Sequence, residues 1–253
     1  MRIPSPEGGS AMLGWLIWSQ RRHWRPQVEE RRLLGLPVTA VILPAGNRRR
    51  RLAQGGRVLQ RLGIRRAVAD EHFDGWPELA AYGVAPVDPL PLCRYKGGEL
   101  ALALLEPYPL KQRAAALCGE TVDRAAWALA DCLCPRTGTL LLDFDRGGEA
   151  LADHLRRAYG AAPPGPGHGL RPQVTVELAP RETGSGEALR LWGRPDLAGL
   201  ALEWRKAPLP EGVDPLMLLE LLWETGRAEG ADIAVAPRRN ALDRGAENTY
   251  NTG

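Results

Sequence analysis

Lysine is nearly missing from this chain: Lys96, Lys111 and Lys206 are its only three, against thirty arginines. Arginine stands even where nothing suggests a bidentate partner, so the imbalance reads as a genomic base-composition bias rather than a chemical choice. Cysteine is sparse too. Cys93, Cys118, Cys132 and Cys134 are scattered through apolar segments, which favours buried reduced thiols over a disulfide framework and fits a cytoplasmic setting. Long apolar runs are absent. The most apolar N-terminal stretch, Met12 to Trp18, falls far short of the ~20 residues that span a bilayer. Its flanks lack a signal-peptide cleavage site, and no membrane partner is expected.

The usual motifs of chemistry are missing as well. No phosphate-binding loop ending in Gly-Lys-Ser/Thr occurs. Cys132-Leu133-Cys134 has no second pair at zinc spacing, so no metal site is expected. His23, His72, His154 and His168 are dispersed, none beside a nucleophile motif, and Gly184-Ser185-Gly186 sits in a loop rather than a strand-to-helix elbow. No complete catalytic set emerges. The sequence leaves open whether the protein is an enzyme and names no cofactor.

What is present is globular. Hydrophobic residues make up 44% and charged residues 25% of 253 positions, enough for one large domain or two small ones. The net charge of +3 hides an asymmetry, since residues 1 to 70 carry +10 and the remainder −7. A basic end of this kind meets nucleic acid or phosphate, or pairs with the acidic remainder. Within it, Arg21-Arg22-His23-Trp24-Arg25 reads either as a base-stacking and phosphate-gripping cluster or as a packed Trp24 among wet arginines.

The most legible stretch runs from Arg113 to Tyr159. Ala114 to Cys118 is a short apolar strand ending at a Gly119 turn, and Thr121 is placed to cap a helix with Val122, Ala125, Ala126, Leu129, Ala130 and Leu133 on one stripe. Pro135 stops that helix. Thr139 to Phe144 then reads as a second buried strand, delivering Asp143 and Asp145 to its carboxyl end, with a helix over Gly148 to Tyr159 closed by Gly160. Asp145 is a candidate N-cap for that helix. Two such strands with a helix between them predict a parallel sheet covered by helices.

Elsewhere, Leu13 to Trp18 and Val38 to Leu43 read as strands, and Asn47 caps a helix that starts with Arg48, Arg49, Arg50 and Arg51. Cations are disfavoured by the dipole there, so Arg48 and Arg49 are candidate contacts for a bound anion or for an acidic neighbour. Short strands are expected at Arg65 to Ala69 and Val84 to Val87, and Pro86, Pro89 and Pro91 predict extended chain before a helix over Glu99 to Glu106. Ala161 to Gln173 is a Pro/Gly linker. Val174 to Leu178 and Leu189 to Trp192 predict a hairpin, Leu200 to Trp204 and Ile233 to Val235 further strands, and Asp214-Pro215 the start of a helix.

The Gly119 turn followed by Asp143 at the next strand end resembles a Rossmann-like nucleotide-binding unit over about 45 residues. That resemblance implies Gly119, Glu120 and Thr121 as anion contacts and Asp143 as a hydroxyl contact. Cys118-Gly119-Glu120-Thr121-Val122-Asp123 nonetheless has one glycine where the fingerprint has three. Asp143-Phe144-Asp145 is also similar to the opening signature of haloacid-dehalogenase-type phosphatases and to the Asp-x-Asp of metal-dependent glycosyltransferases, although Arg146-Gly147 departs from the former.

The expected fold is therefore α/β: a Rossmann-like, mostly parallel sheet flanked by helices, in two α/β halves, basic 12–110 and 111–236, with a hairpin excursion near 174–192 and flexible termini at 1–11 and 237–253. Two functions remain. One is a protein binding a nucleotide or phosphorylated small molecule through Gly119, Glu120, Thr121, Asp143, Asp145, Arg48 and Arg49. The other is a non-catalytic interaction protein that uses its basic part for a protein or nucleic-acid partner. Neither fixes an oligomeric state.

Overall fold

The computed structural model describes residues 13–21, 25–165, 169–181 and 186–238. Two compact units form, one from residues up to Asp88 together with Lys206–Glu229, the other from Pro89–Arg205 together with the chain from Gly230.

In the first unit β1 (Leu13–Trp18) is followed by β2 (Gln27–Leu33), β3 (Leu36–Leu43), α1 (Arg48–Arg61), β4 (Arg66–Val68), α2 (Trp76–Ala80) and β5 (Ala85–Pro86). The sheet order is β2-β3-β1-β4-β5. Only β2 is antiparallel to its neighbour. Its sequence, Gln-Val-Glu-Glu-Arg-Arg-Leu, buries Leu33 alone and so carries no alternation to read. Pairing with β3 makes it a strand, through the Leu34-Gly35 turn in which both φ angles are positive, 48° and 84°. Its charges suit an edge, where they discourage further pairing. Asn47 caps α1 as its sequence predicts, the side chain accepting from the Arg50 N–H at 3.1 Å. Leu52 and Leu59 of that helix enter a core with Leu16, Val41, Leu43, Ile64 and Leu79.

The second unit opens with α3 (Leu90–Leu105). It starts nine residues before its expected beginning, because a proline in the first turn lacks only an N–H that would have been unpaired; Pro91 stands there. Mid-helix Gly97 and Gly98 have a packing reason. A Cβ at Gly97 would lie 2.7 Å from Leu191 Cδ1, and one at Gly98 2.5 Å from Cys132 Sγ.

Then follow β6 (Ala114–Thr121), α4 (Arg124–Leu133), β7 (Thr139–Arg146), α5 (Gly148–Tyr159), β8 (Val174–Glu177), β9 (Glu187–Arg190) and β10 (Leu200–Trp204). The helix α6 (Pro215–Glu224), capped by Asp214 as expected, belongs to the first unit, and β11 (Ile233–Pro237) pairs antiparallel with β10. Because α3 packs on α4, β8 and β9, the boundary falls at Asp88 and not near residue 110.

The sheet β7-β6-β8-β9 is parallel throughout. That corrects the expected hairpin near 174–192, since β8 and β9 pair in parallel with Val174 opposite Glu187. The return runs through Gly186, whose φ is +118° and where a Cβ would lie 2.5 Å from Pro172 O. The fold is thus α/β and Rossmann-like, with mostly parallel sheets flanked by helices. The parallel strands of both sheets, β3-β1-β4-β5 and β7-β6-β8-β9, run in the order second, first, third, fourth. Among the described residues no helix is long and apolar enough to cross a membrane.

Candidate functional site

In open α/β sheets ligands settle outside the carboxyl ends of the strands, where successive connections leave the first strand in opposite directions. In the second unit that point lies between β6 and β8, and polar groups collect there. Asp143, Cys118 and Glu177 are register partners across β7, β6 and β8, so their side chains stand in one row on one face of the sheet.

Arg181, just beyond β8, spans the row's end. One guanidinium nitrogen lies 3.3 and 3.4 Å from the two Asp143 carboxylate oxygens. The other donates to Gly119 O at 3.0 Å and to Asp145 Oδ1 at 2.5 Å. Burial opposes the charge, yet the bond to Asp145 and the field of both carboxylates raise the Arg181 pKa overall. Arg94 of α3 ties the rim together, donating to Leu191 O at 2.9 Å, Leu178 O at 3.0 Å and Asp123 Oδ2 at 3.3 Å.

Glu177 is the unusual member. It is 1% exposed, its Oε2 accepts a long 3.4 Å bond from Trp192 Nε1, and its Oε1 is buried with no partner. Groups of this kind are costly unless they serve something.

Cys118 reports the same surroundings. Burial first, then the charges of Asp143 and Glu177 outweighing Arg181, push its thiol from an ordinary 9.0 to about 11. A raised pKa favours the neutral thiol in the folded state, so the associated stability is present below pH 9.0 and lost as pH rises through about 11. At pH 8 the native thiol should react with iodoacetamide about 100-fold more slowly than an unperturbed one. Peptide mass spectrometry on trapped protein checks this, and prompt labelling of Cys118 in the folded chain would contradict it.

The structure redraws several expectations. Gly119, Glu120 and Thr121 are the last residues of β6, not a turn, and the cap of α4 is Asp123, whose side chain accepts from the Ala126 N–H at 2.8 Å. The lone glycine has a steric reason: a Cβ on Gly119 would sit 2.9 Å from the Phe144 ring. Asp145 does not cap α5; Gly147 does, without a side chain, and Asp145 is turned to Arg181. Arg48 and Arg49 begin α1 in the other unit. Arg48 forms an ion pair with Asp74 and lies over the Trp18 ring at 6.0 Å, which gives one basic residue of that turn an internal use.

His154 is bonded to Asp131 at 2.7 Å and packs edge-on to Trp127. Among the described residues no group of His, Cys, Asp and Glu could hold a metal ion. Arg22, His23, Trp24, His168, Gly184 and Ser185 lie outside the described residues, as do 1–12 and 239–253, whereas Pro237 closes β11 and the Arg238 N–H donates to Gly199 O at 2.8 Å.

Sequence reading missed Glu177 and Arg181. The one signal was a carboxylate closing a strand with no other charged residue, Val174-Thr175-Val176-Glu177.

No family model matches the chain, and no curated protein matches it. Among solved structures it is similar to the crystal structure of L-tryptophan dehydrogenase from Nostoc punctiforme, at 15% identity and a TM-score of 0.30, over 66% of this chain and 56% of that one. The chain thus matches little more than half the length of that protein.

Proposed function

We propose that the second unit binds a nucleotide or another phosphorylated small molecule, through hydroxyl or amino donors, at the carboxyl ends of β6, β7 and β8. The observation that carries this reading is the row Asp143–Cys118–Glu177 at the sheet's switch point, with Arg181 bonded at its Asp143 end. A carboxylate has about four acceptor sites, so Asp143 retains capacity for a ligand hydroxyl beside its contact with Arg181. Gly119, Glu120, Thr121 and Asp145 form the rest of the strand-end wall. The phosphate has its best place at the start of α5, where no side chain caps the helix and Arg146 immediately precedes Gly147. The start of α4 is less suitable because the Asp123 side chain already occupies its Ala126 N–H, whereas α5 has Glu149 in its first turn but no side-chain cap.

Arg48 and Arg49 belong to this reading only as a separate anion contact in the first unit. The alternative, a protein or nucleic-acid partner on the basic part, draws support from Gly119 having a steric explanation that needs no phosphate. It predicts binding that weakens steeply with salt.

The test is thermal unfolding against nucleotides, dinucleotides, sugar phosphates and divalent ions. A ligand at one hundred times its Kd stabilises the native state by about 2.7 kcal/mol. The expected result is a saturable rise for one compound class, abolished in Asp143→Ala; no rise across the panel would favour the alternative.

A further inference from the structure

We infer that the ligand of this crevice carries a cationic nitrogen, an ammonium or guanidinium, and that Arg181 holds its place in the free protein. The inference rests on the reading that the strand ends of β6, β7 and β8 bind a ligand, and it specifies what that ligand presents to them.

Three observations converge. The acceptors around the Arg181 head group come from two strands: both oxygens of Asp143 and one of Asp145 from β7, and the Gly119 carbonyl from β6. The guanidinium that fills them comes from elsewhere, the connection that follows β8. A set of acceptors fixed by a sheet and filled by a connecting segment is a slot with an internal occupant.

The second observation is independent of Arg181. Glu177 stands in the same row as Asp143, one strand beyond Cys118, and its Oε1 is buried without a donor. Arg181 makes its bonds with Asp143, Asp145 and Gly119 and leaves this oxygen unserved. Only a hydrogen-bond donor completes it, and a cation is the donor that a carboxylate binds most strongly.

The third is the balance of charge. Carboxyl groups of Asp143 and Asp145 share the Arg181 guanidinium. Arg190, the register partner of Glu177 on β9, is paired with Asp196 at 3.6 Å, and the Cys118 thiol between Asp143 and Glu177 is pushed upward by burial and by both carboxylates. An anionic group is ill placed against this wall. A cationic nitrogen matches it, while the ligand's phosphate lies away from the row, toward the start of α5.

The test uses agmatine, which carries a guanidinium and an ammonium, titrated calorimetrically into the full chain, with adenosine 5′-monophosphate titrated in parallel. Removing an internal competitor raises apparent affinity by the fraction of sites it had closed. Agmatine should therefore bind Arg181→Ala about tenfold more tightly than the unaltered chain, and binding should be lost in Arg181→Ala/Glu177→Met. Equal binding to Arg181→Ala and the unaltered chain, or none to either, overturns the inference. If Arg181→Ala does not fold, Glu177→Met alone decides: reduced agmatine affinity supports the slot and unchanged affinity overturns it. A response to adenosine 5′-monophosphate without one to agmatine removes the cation slot and leaves the ligand crevice standing. No response to either compound removes both.

Discussion

Gly186→Ala is expected to lower the unfolding free energy by about 3–5 kcal/mol, combining backbone strain with overpacking against the main chain. Gly186 holds a φ of +118°, and a Cβ there would lie 2.5 Å from Pro172 O and 2.7 Å from Gln173 O. Neither neighbour is a side chain that can turn aside. The Gln173 carbonyl also accepts the Glu187 N–H at 2.9 Å, so relief of the clash would pull apart the start of the β8–β9 pairing. Gly160→Ala is the control. That glycine has a φ of +67° and open space around it, so its replacement should cost only about 1 kcal/mol. Urea midpoints of the two variants measure the contrast, and similar losses would contradict the parallel return from β8 to β9.

Glu177→Met should act in the opposite direction, stabilising the free protein by about 1–3 kcal/mol while removing its response to ligand. The carboxylate is 1% exposed, one oxygen has no partner and the other has a single long bond to Trp192. A methionine of similar volume relieves that desolvation and forfeits little. Stability gained at the expense of binding is the signature of a group retained for function. A loss of stability in Glu177→Met would mean that the carboxylate is a structural bond-maker and would detach it from the ligand crevice.

Much of the fold was legible because its strongest elements follow local rules. Asn47 before α1, Asp214-Pro215 before α6 and Gly160 after α5 mark helix ends by their own chemistry, and the mostly apolar runs read at Thr139 to Phe144 and Val38 to Leu43 fall within β7 and β3 because sheet interiors take such residues. The failures have a different physics. The strand β2 is exposed except at Leu33 and charged through its middle, so partner pairing creates it. The stretch from Pro86 to Pro91 reads as extended because of its prolines, yet Pro91 occupies the first turn of α3, where a helix tolerates it. The parallel pairing of β8 and β9 depends on a backbone path through Gly186 that no side-chain pattern encodes.

The site followed the same division. Asp143 and Asp145 were visible, standing at the end of an apolar strand. Their partner was not: Arg181 is 36 residues from Asp145 in sequence, in a segment read as a connection. Glu177 gains its significance only from register, since its burial follows from the strand beside it and the helix packed on β8. Conversely, the Gly119 turn was a false signal. The glycine answers to the Phe144 ring, and the true cap lies two residues beyond the expected one, at Asp123.

Ligand is expected to meet the strand ends of the second unit. Amide hydrogen exchange of the full chain, with and without the compound that raises its unfolding midpoint, tests it residue by residue. Protection concentrated at 118–121, 143–149 and 177–181 is the predicted result. Protection confined to 47–51 of the first unit, with none at those strand ends, would contradict it.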